Sequence, residues 1–375
     1  IIAFKLPKNN VKSFKIVASH LDSPTFKIKP NCSIETAAHT LSIALEGYGG
    51  TILSSWLDRP LSIAGRVVCK ENNKLVTKLV DINRPLCVIP NVAIHQNRSI
   101  NDGYKYTYAS DIIPLYGMKG SMKLEDLIAS ENNIEKDDIC SMELYIYSYE
   151  RGYNFGVNNE FIIAPQIDNL ESSYLSLLAF MNSKNDNSIN VYCSFDNEEV
   201  GSGSKQGALS TFLSDTLRRI TKKIGLSKEQ HLIALAKSFM VSCDNAHATH
   251  PNQPGLCDPL NRCYMNEGIV IKTNANLSYT TDAISHALFT SILDEANVKW
   301  QVFANRSDTR GGSTLGHLSL SQVSIDSIDI GLAQLAMHSS NEVCAVKDMK
   351  MMVEGLIAFY NKHLSKDSEN NFLIK

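Results

Sequence analysis

No apolar run in this chain reaches the ~20 residues needed to cross a bilayer. The first residues also lack the basic and apolar stretches of a secretory leader, so the sequence predicts no membrane partner and a cytoplasmic location. Charge of one sign is not in excess either. A net charge of -3 and a pI near 6.4, without a run of like charges, exclude the electrostatic footprint of a nucleic-acid binder. Cysteine pairs are missing. The nine cysteines are an odd number and none forms a Cys-x-x-Cys motif. Cys193 and Cys243 lie in apolar strand-like runs, which reads as buried reduced thiols rather than disulfides or a thiolate metal site. Internal repeats are absent, and the only biased stretch is the polar tail "SKDSENN", which is expected to fray.

What is present is enough apolar material for a large core: 375 residues at 43% hydrophobic content predict more than one domain. The opening "IIAFKLPKNNVKSFKIVASH" reads as two strands joined by a polar turn. It has no starting Met, so the chain is expected to begin inside a domain, with upstream residues missing. Further on, strand-like runs ("INVYCSF", "SFMVSCDN", "GIVIKT", "VKWQVF", "VSIDSIDIG") alternate with helical patterns at 204–225, 281–297 and 340–364. Such alternation predicts an α/β layer with a mixed, mostly parallel sheet flanked by helices. Ser339 followed three residues later by Glu342 fits a capping box for the last helix. Between 38 and 155 the texture changes to short β-like pieces, turns such as "EGYGG" and "ENNK", and one short helix. An inserted β-rich domain at 38–155 is the simplest account, leaving 1–37 and 156–375 as two parts of the other domain.

Metal-type ligands stand at the ends of predicted strands or beside helix starts in five separate stretches. In "FKIVASHLDSP" the apolar run stops at His20, and Asp22 is close enough to orient its imidazole. "IIAPQIDNLESS" places Asp168 between a strand and a helix, where an N-cap aspartate is the ordinary alternative. In "VYCSFDNEEVGSGSKQGA" a strand delivers Glu198 and Glu199 into a Gly/Ser turn, and consecutive carboxylates at a strand end tend to point to opposite sides. "SFMVSCDNAHATHP" ends a strand on Asp244, and "SIDIGLAQLAMHSSNEV" places His338 ahead of the last helix. Each alone has an ordinary explanation; together they make a set of imidazoles and carboxylates that suits zinc, with cobalt or manganese as alternatives, rather than a thiolate site. Two ions held by such a set bring a bridging water to attack on a carbonyl. Glu198, next to a ligand but not needed as one, is the carboxylate able to take that water's proton and hand it to a leaving amine.

The segments "SHLDSP", "QIDN", "DNEEVGS", "CDNAH" and "MHSSNE", with "YGGTILSSWLDRPLSIAGRV", "PNVAIHQNR" and "RSDTRGGSTLG" between them, resemble in order and spacing the aspartyl aminopeptidase and aminopeptidase I family of dinuclear zinc exopeptidases. The likeness covers essentially the whole chain and is of the bacterial type. It implies a zinc-exopeptidase-like catalytic domain and an inserted β-rich dimerisation domain. It further implies that Asp168 bridges two zinc ions, that His20 and Asp244 complete one and Glu199 and His338 the other, that Glu198 is the general base, and that Asp22 backs His20. Members of this family form dodecamers built from dimers, in which a histidine crosses to the neighbouring active site. His95 in "PNVAIHQNR" matches it.

Substrates are expected to be short peptides with a free N-terminus. Lys272 in "GIVIKTN" matches a family lysine near the substrate pocket, where a cation would pair with an acidic first residue, although the family includes both members that favour Asp or Glu and members that favour neutral, Leu-like first residues; a lysine just past an apolar strand is otherwise usually solvated. His247, Ser307 and Asp308 are further pocket candidates, the last two in the Gly-rich loop "SDTRGGST", which lacks the GxxxxGK[ST] phosphate pattern. The expected activity is thus a metal-dependent aminopeptidase. A two-metal deacylase on the same scaffold and a catalytically silent shell-forming relative are the alternatives.

Overall fold

The computed structural model describes residues 1–8, 11–184, 188–309, 311–367, 369 and 371–374. Asn9 and Asn10 of the expected turn, Arg310 of the Gly-rich loop, and Ser368 and Asn370 of the tail lie outside them. Among the described residues no helix is long and apolar enough to cross a membrane. The chain divides into two compact units. The first comprises Ile1–Ser23, Tyr153–Met337 and Glu342–Lys375, and the second Pro24–Gly152 with His338–Asn341.

The first unit is built on a seven-stranded sheet in the order Ile2–Lys5, Ser188–Phe195, Ser13–His20, Phe239–Cys243, Asp326–Gly331, Ile269–Thr273, Trp300–Ala304. The Ser188, Ser13, Phe239 and Asp326 strands run parallel, as do Ile269 and Trp300, whereas Ile2–Lys5 and the Asp326–Ile269 contact are antiparallel. Strands buried on both faces read as unbroken apolar runs, and alternate residues divide between two cores. Phe14, Ile16 and Ala18 pack with Leu213, Leu217 and Ile220 of helix Phe212–Lys223. Val17, Val241 and Ile271 meet Phe289 of helix Ala283–Glu295 and Leu356 and Phe359 of helix Val346–Asn361.

Three local expectations are corrected. Helix 204–225 is confined to Phe212–Lys223, because residues 204–211 form turns in which Gly207 passes so close to Ser202 that a Cβ would sit 2.2 Å from its carbonyl oxygen. The capping box at Ser339 and Glu342 does not form: Glu342–Ala345 is a strand antiparallel to Phe161–Ala164, and the helix starts at Val346 without a side-chain cap. Nor does the tail simply fray, since Leu364–Lys366 pairs with Phe372–Ile374 and Phe372 stacks edge-on against Phe239.

The second unit is a six-stranded antiparallel sheet, ordered Lys74–Asp81, Leu61–Glu71, Ile139–Ser148, Thr25–Glu35, Thr40–Tyr48, Leu115–Met118. Its core gathers Phe26, Trp56, Ile63 and Ile146 with Leu124 and Ile128 of helix Leu124–Glu131. The stretch His338–Asn341 is tied to this unit by His338 Nδ1, 3.0 Å from Gly50 O, and by Ser340 N donating to Ser55 Oγ at 2.9 Å.

Candidate metal centre

The parallel register of the first unit pairs His20, the last residue of its strand, with Phe195, the last of its neighbour. Each strand then hands over to acidic side chains at its carboxyl end, where open α/β sheets collect ligands. Asp22 comes two residues after His20, and Asp244 directly follows Phe239–Cys243. Glu198 and Glu199 stand on a 3-10 turn, Glu198–Val200, entered through Asn197 at φ 61, so strand alternation does not set their directions. Asp168 opens helix Ile167–Asn182, with φ -80 and ψ 107 outside the helical range and a cis peptide to Asn169.

His20 is buried, and two carboxylates converge on one of its ring nitrogens: Nε2 lies 3.5 Å from Asp168 Oδ1 and 3.6 Å from Asp244 Oδ1. The other nitrogen, Nδ1, is 3.0 Å from Asp22 O and 3.4 Å from Asp22 Oδ1, so Nδ1 is the donor and Nε2 faces the acids. Burial works against charge on His20, but Asp168, Asp22 and Asp244 outweigh it and hold its pKa well above the usual value. Such a cluster is balanced by a cation, whether a proton or a metal. Asp22 also fixes the glutamate turn, its Oδ1 accepting from Glu198 N at 3.0 Å and its Oδ2 from Glu199 N at 3.1 Å. Burial and the Asp244 carboxylate push the Glu198 carboxyl up to about 7, with His20 pulling the other way. Ligand atoms of His20, Asp168 and Asp244, and of His20, Glu198 and Glu199, each lie within 4.8 Å of one another. An all nitrogen and oxygen donor set of this kind fits zinc.

Residues 1–360 match the family described as aminopeptidase I zinc metalloprotease (M18). The chain belongs to the M18 family. It is therefore a metal-dependent aminopeptidase, an exopeptidase acting at peptide N-termini. A probable M18 family aminopeptidase 2 from Clostridium acetobutylicum is 43% identical over 370 residues, covering 96% of this chain and 86% of that protein. Among solved structures, the Ape4 and Nbr1 complex contains a chain that is 34% identical, with a TM-score of 0.92 over 96% of this chain and 74% of that one. The S. cerevisiae mApe1 dodecamer matches at 26% identity and TM-score 0.82, over 96% of this chain and 82% of that one.

His338, at φ 68, lies in the stretch that groups with the second unit, and His95 stands on an exposed turn of that unit. Lys272 is not solvated: it is buried, its Nζ donates to Asp244 O at 2.7 Å and Asn245 O at 3.3 Å, and it lies 5.2 Å from the centre of the Tyr279 ring. His247 is exposed and edge-on to Phe303. Ser307 and Asp308 are exposed, and Asp308 pairs with Arg306 at 2.7 Å. Sequence reasoning missed Glu342, whose buried Oε2 accepts from Asp168 N at 2.8 Å; its place in an apparent capping box concealed it.

Proposed function

We propose that this aminopeptidase works with two zinc ions per chain, Asp168 serving both, His20 and Asp244 completing one, and Glu199 and His338 the other. His338 is joined by one peptide bond to Met337 of the first unit, which supports its inclusion. Zinc held by these residues would supply an acidified water and a polarised scissile carbonyl. Glu198 takes the proton of the attacking water and returns it to the leaving amine, the work of a carboxylate with a pKa near the operating pH. Asp22 sets the His20 tautomer and holds Glu198 and Glu199 by their backbone amides. Lys272 brings positive charge beside Asp244 for an acidic first residue, and His247, Ser307 and Asp308 line the approach of a short peptide.

By analogy with the dodecameric mApe1 structure, the second unit is the dimerisation module of a homo-dodecamer, in which His95 reaches a neighbouring active site and stabilises the oxyanion. The free thiols of all nine cysteines suit a reducing, cytoplasmic setting. The observation that carries the mechanism is Asp22's grip on two consecutive amides, which puts a ligand and a base on one turn. Glu198→Gln tests it: the variant keeps its zinc, measured by metal analysis, while N-terminal residue release falls by about 10²–10⁴. Loss of zinc in that variant would make Glu198 a ligand and overturn its role.

A further inference from the structure

The two aspartates that converge on His20 come from separate elements, one from a helix start and one from a strand end. Like charges brought to one nitrogen repel, so their backbones need a brace. Each aspartate is followed by a buried asparagine, 0% exposed at Asn169 and 4% at Asn245. Asn169 Nδ2 donates to Cys243 O, directly before Asp244, at 2.9 Å. In return, Asn245 Nδ2 faces Ile167 O, directly before Asp168, at 3.4 Å. Each asparagine thus reaches for the carbonyl that precedes the other aspartate.

The orientation of the Asn245 amide is settled by its neighbours. Its Oδ1 accepts from Ser172 Oγ at 2.8 Å and from Leu332 N at 3.4 Å. Its Nδ2 points at oxygens only, Glu171 Oε2 at 3.0 Å and Gln334 Oε1 at 2.7 Å besides Ile167 O. An amide has two N–H groups, so the 3.4 Å bond to Ile167 O is the weaker half and the 2.9 Å bond from Asn169 the stronger. Glu342 meanwhile holds Asp168 by its N–H, and Ser23 Oγ donates to Asp168 O at 2.6 Å.

We infer that Asn169 and Asn245 form a reciprocal clasp that sets the spacing of Asp168 and Asp244, making both asparagines positioning residues for zinc binding. The inference rests on the reading of those aspartates as zinc ligands. Groups that orient metal ligands change metal affinity by about 10–100-fold when removed. Zinc affinity is therefore measured directly, by competition with a chromophoric chelator, on full-length protein.

Asn169→Ala and the near-isosteric Asn169→Asp lose zinc about tenfold or more readily than wild type, and Asn245→Ala loses it less readily than either. The double alanine variant shows less than the sum of the single losses, because the halves brace one junction. At saturating zinc the KM for peptide stays at the wild-type value and only kcat falls. Wild-type zinc affinity in both Asn169 variants overturns the clasp. So does a variant that fails to fold, or one whose metal-free protein melts lower while its zinc affinity holds, since the bonds would then serve stability alone. Asp168→Ala and Asp244→Ala run as controls: if they too keep both zinc ions, the ligand assignment has failed rather than the clasp.

Discussion

The two units bury different things. In the first, the interior holds Lys15, His20, Asp168, Glu171, Asp244, Lys272, Asp329, Glu342 and Asp348; in the second, the buried polar residues are Ser42, Ser62, Ser148 and Ser340, with no charged side chain among the described residues. Burying an ionisable group is costly unless it is paired or holds a metal. The first unit bears that cost nine times over, and several of these groups surround the proposed metal ligands: Glu342 on Asp168 N, Lys272 on Asp244 O. The second unit bears none and is stabilised as an apolar sandwich of sheet and helix. Chemistry and scaffold are thus separated along the chain, a contrast visible only once burial is known.

Zinc removal tests that contrast most severely. Chelation of the zinc-loaded protein is expected to abolish residue release and to lower the melting temperature, because ligand binding free energy is added to the folded state; an unchanged rate after verified metal loss would end the two-zinc reading. His95→Phe comes next. Low turnover with an intact oligomer by light scattering is expected, and a wild-type rate would return His95 to an ordinary surface turn. Phe26→Ala probes the apolar unit alone. Removing this buried ring, edge-on to Trp56 at 4.9 Å, costs about 3–5 kcal/mol on denaturant unfolding. Zinc affinity of the folded fraction should not change; a parallel loss of zinc would deny the separation.

The smallest effect concerns Glu171, which burial pushes up to about 7. A carboxyl raised in the folded state contributes stability below its unfolded pKa and loses it as pH rises through the folded value. Glu171→Gln removes that dependence. The melting temperature of the variant relative to wild type should therefore climb between pH 5 and pH 8, by an amount on the order of 1 kcal/mol in stability. A pH-independent difference would show that Glu171 is not held protonated.

Much of this was legible in the chain. The run from Ser13 to His20 is apolar enough to be a strand buried on both faces, and it stops at the residue proposed as a ligand. The same holds for Phe239–Cys243 before Asp244. Signals that depend on distant partners were harder to read. Ser339 and Glu342 carry the letters of a capping box, but pairing with Phe161–Ala164 makes the segment a strand, and Glu342 serves Asp168, 174 residues away. Lys272 reads as a strand-end lysine, and only the fold brings the carbonyls of Asp244 and Asn245 to it. Asn169 and Asn245 look like turn residues, since nothing local says that an asparagine side chain will cross to another element.

The strand Ser13–His20 pairs on one side with Ser188–Phe195 and on the other with Phe239–Cys243. During synthesis, at about 5–20 residues per second, it waits roughly ten seconds or more before its second neighbour exists at all. Pro24–Gly152, an almost continuous block, is complete well before then. Birth order therefore runs opposite to chemistry: the first of the proposed metal ligands to leave the ribosome belongs to a sheet that cannot close until long after that block is complete.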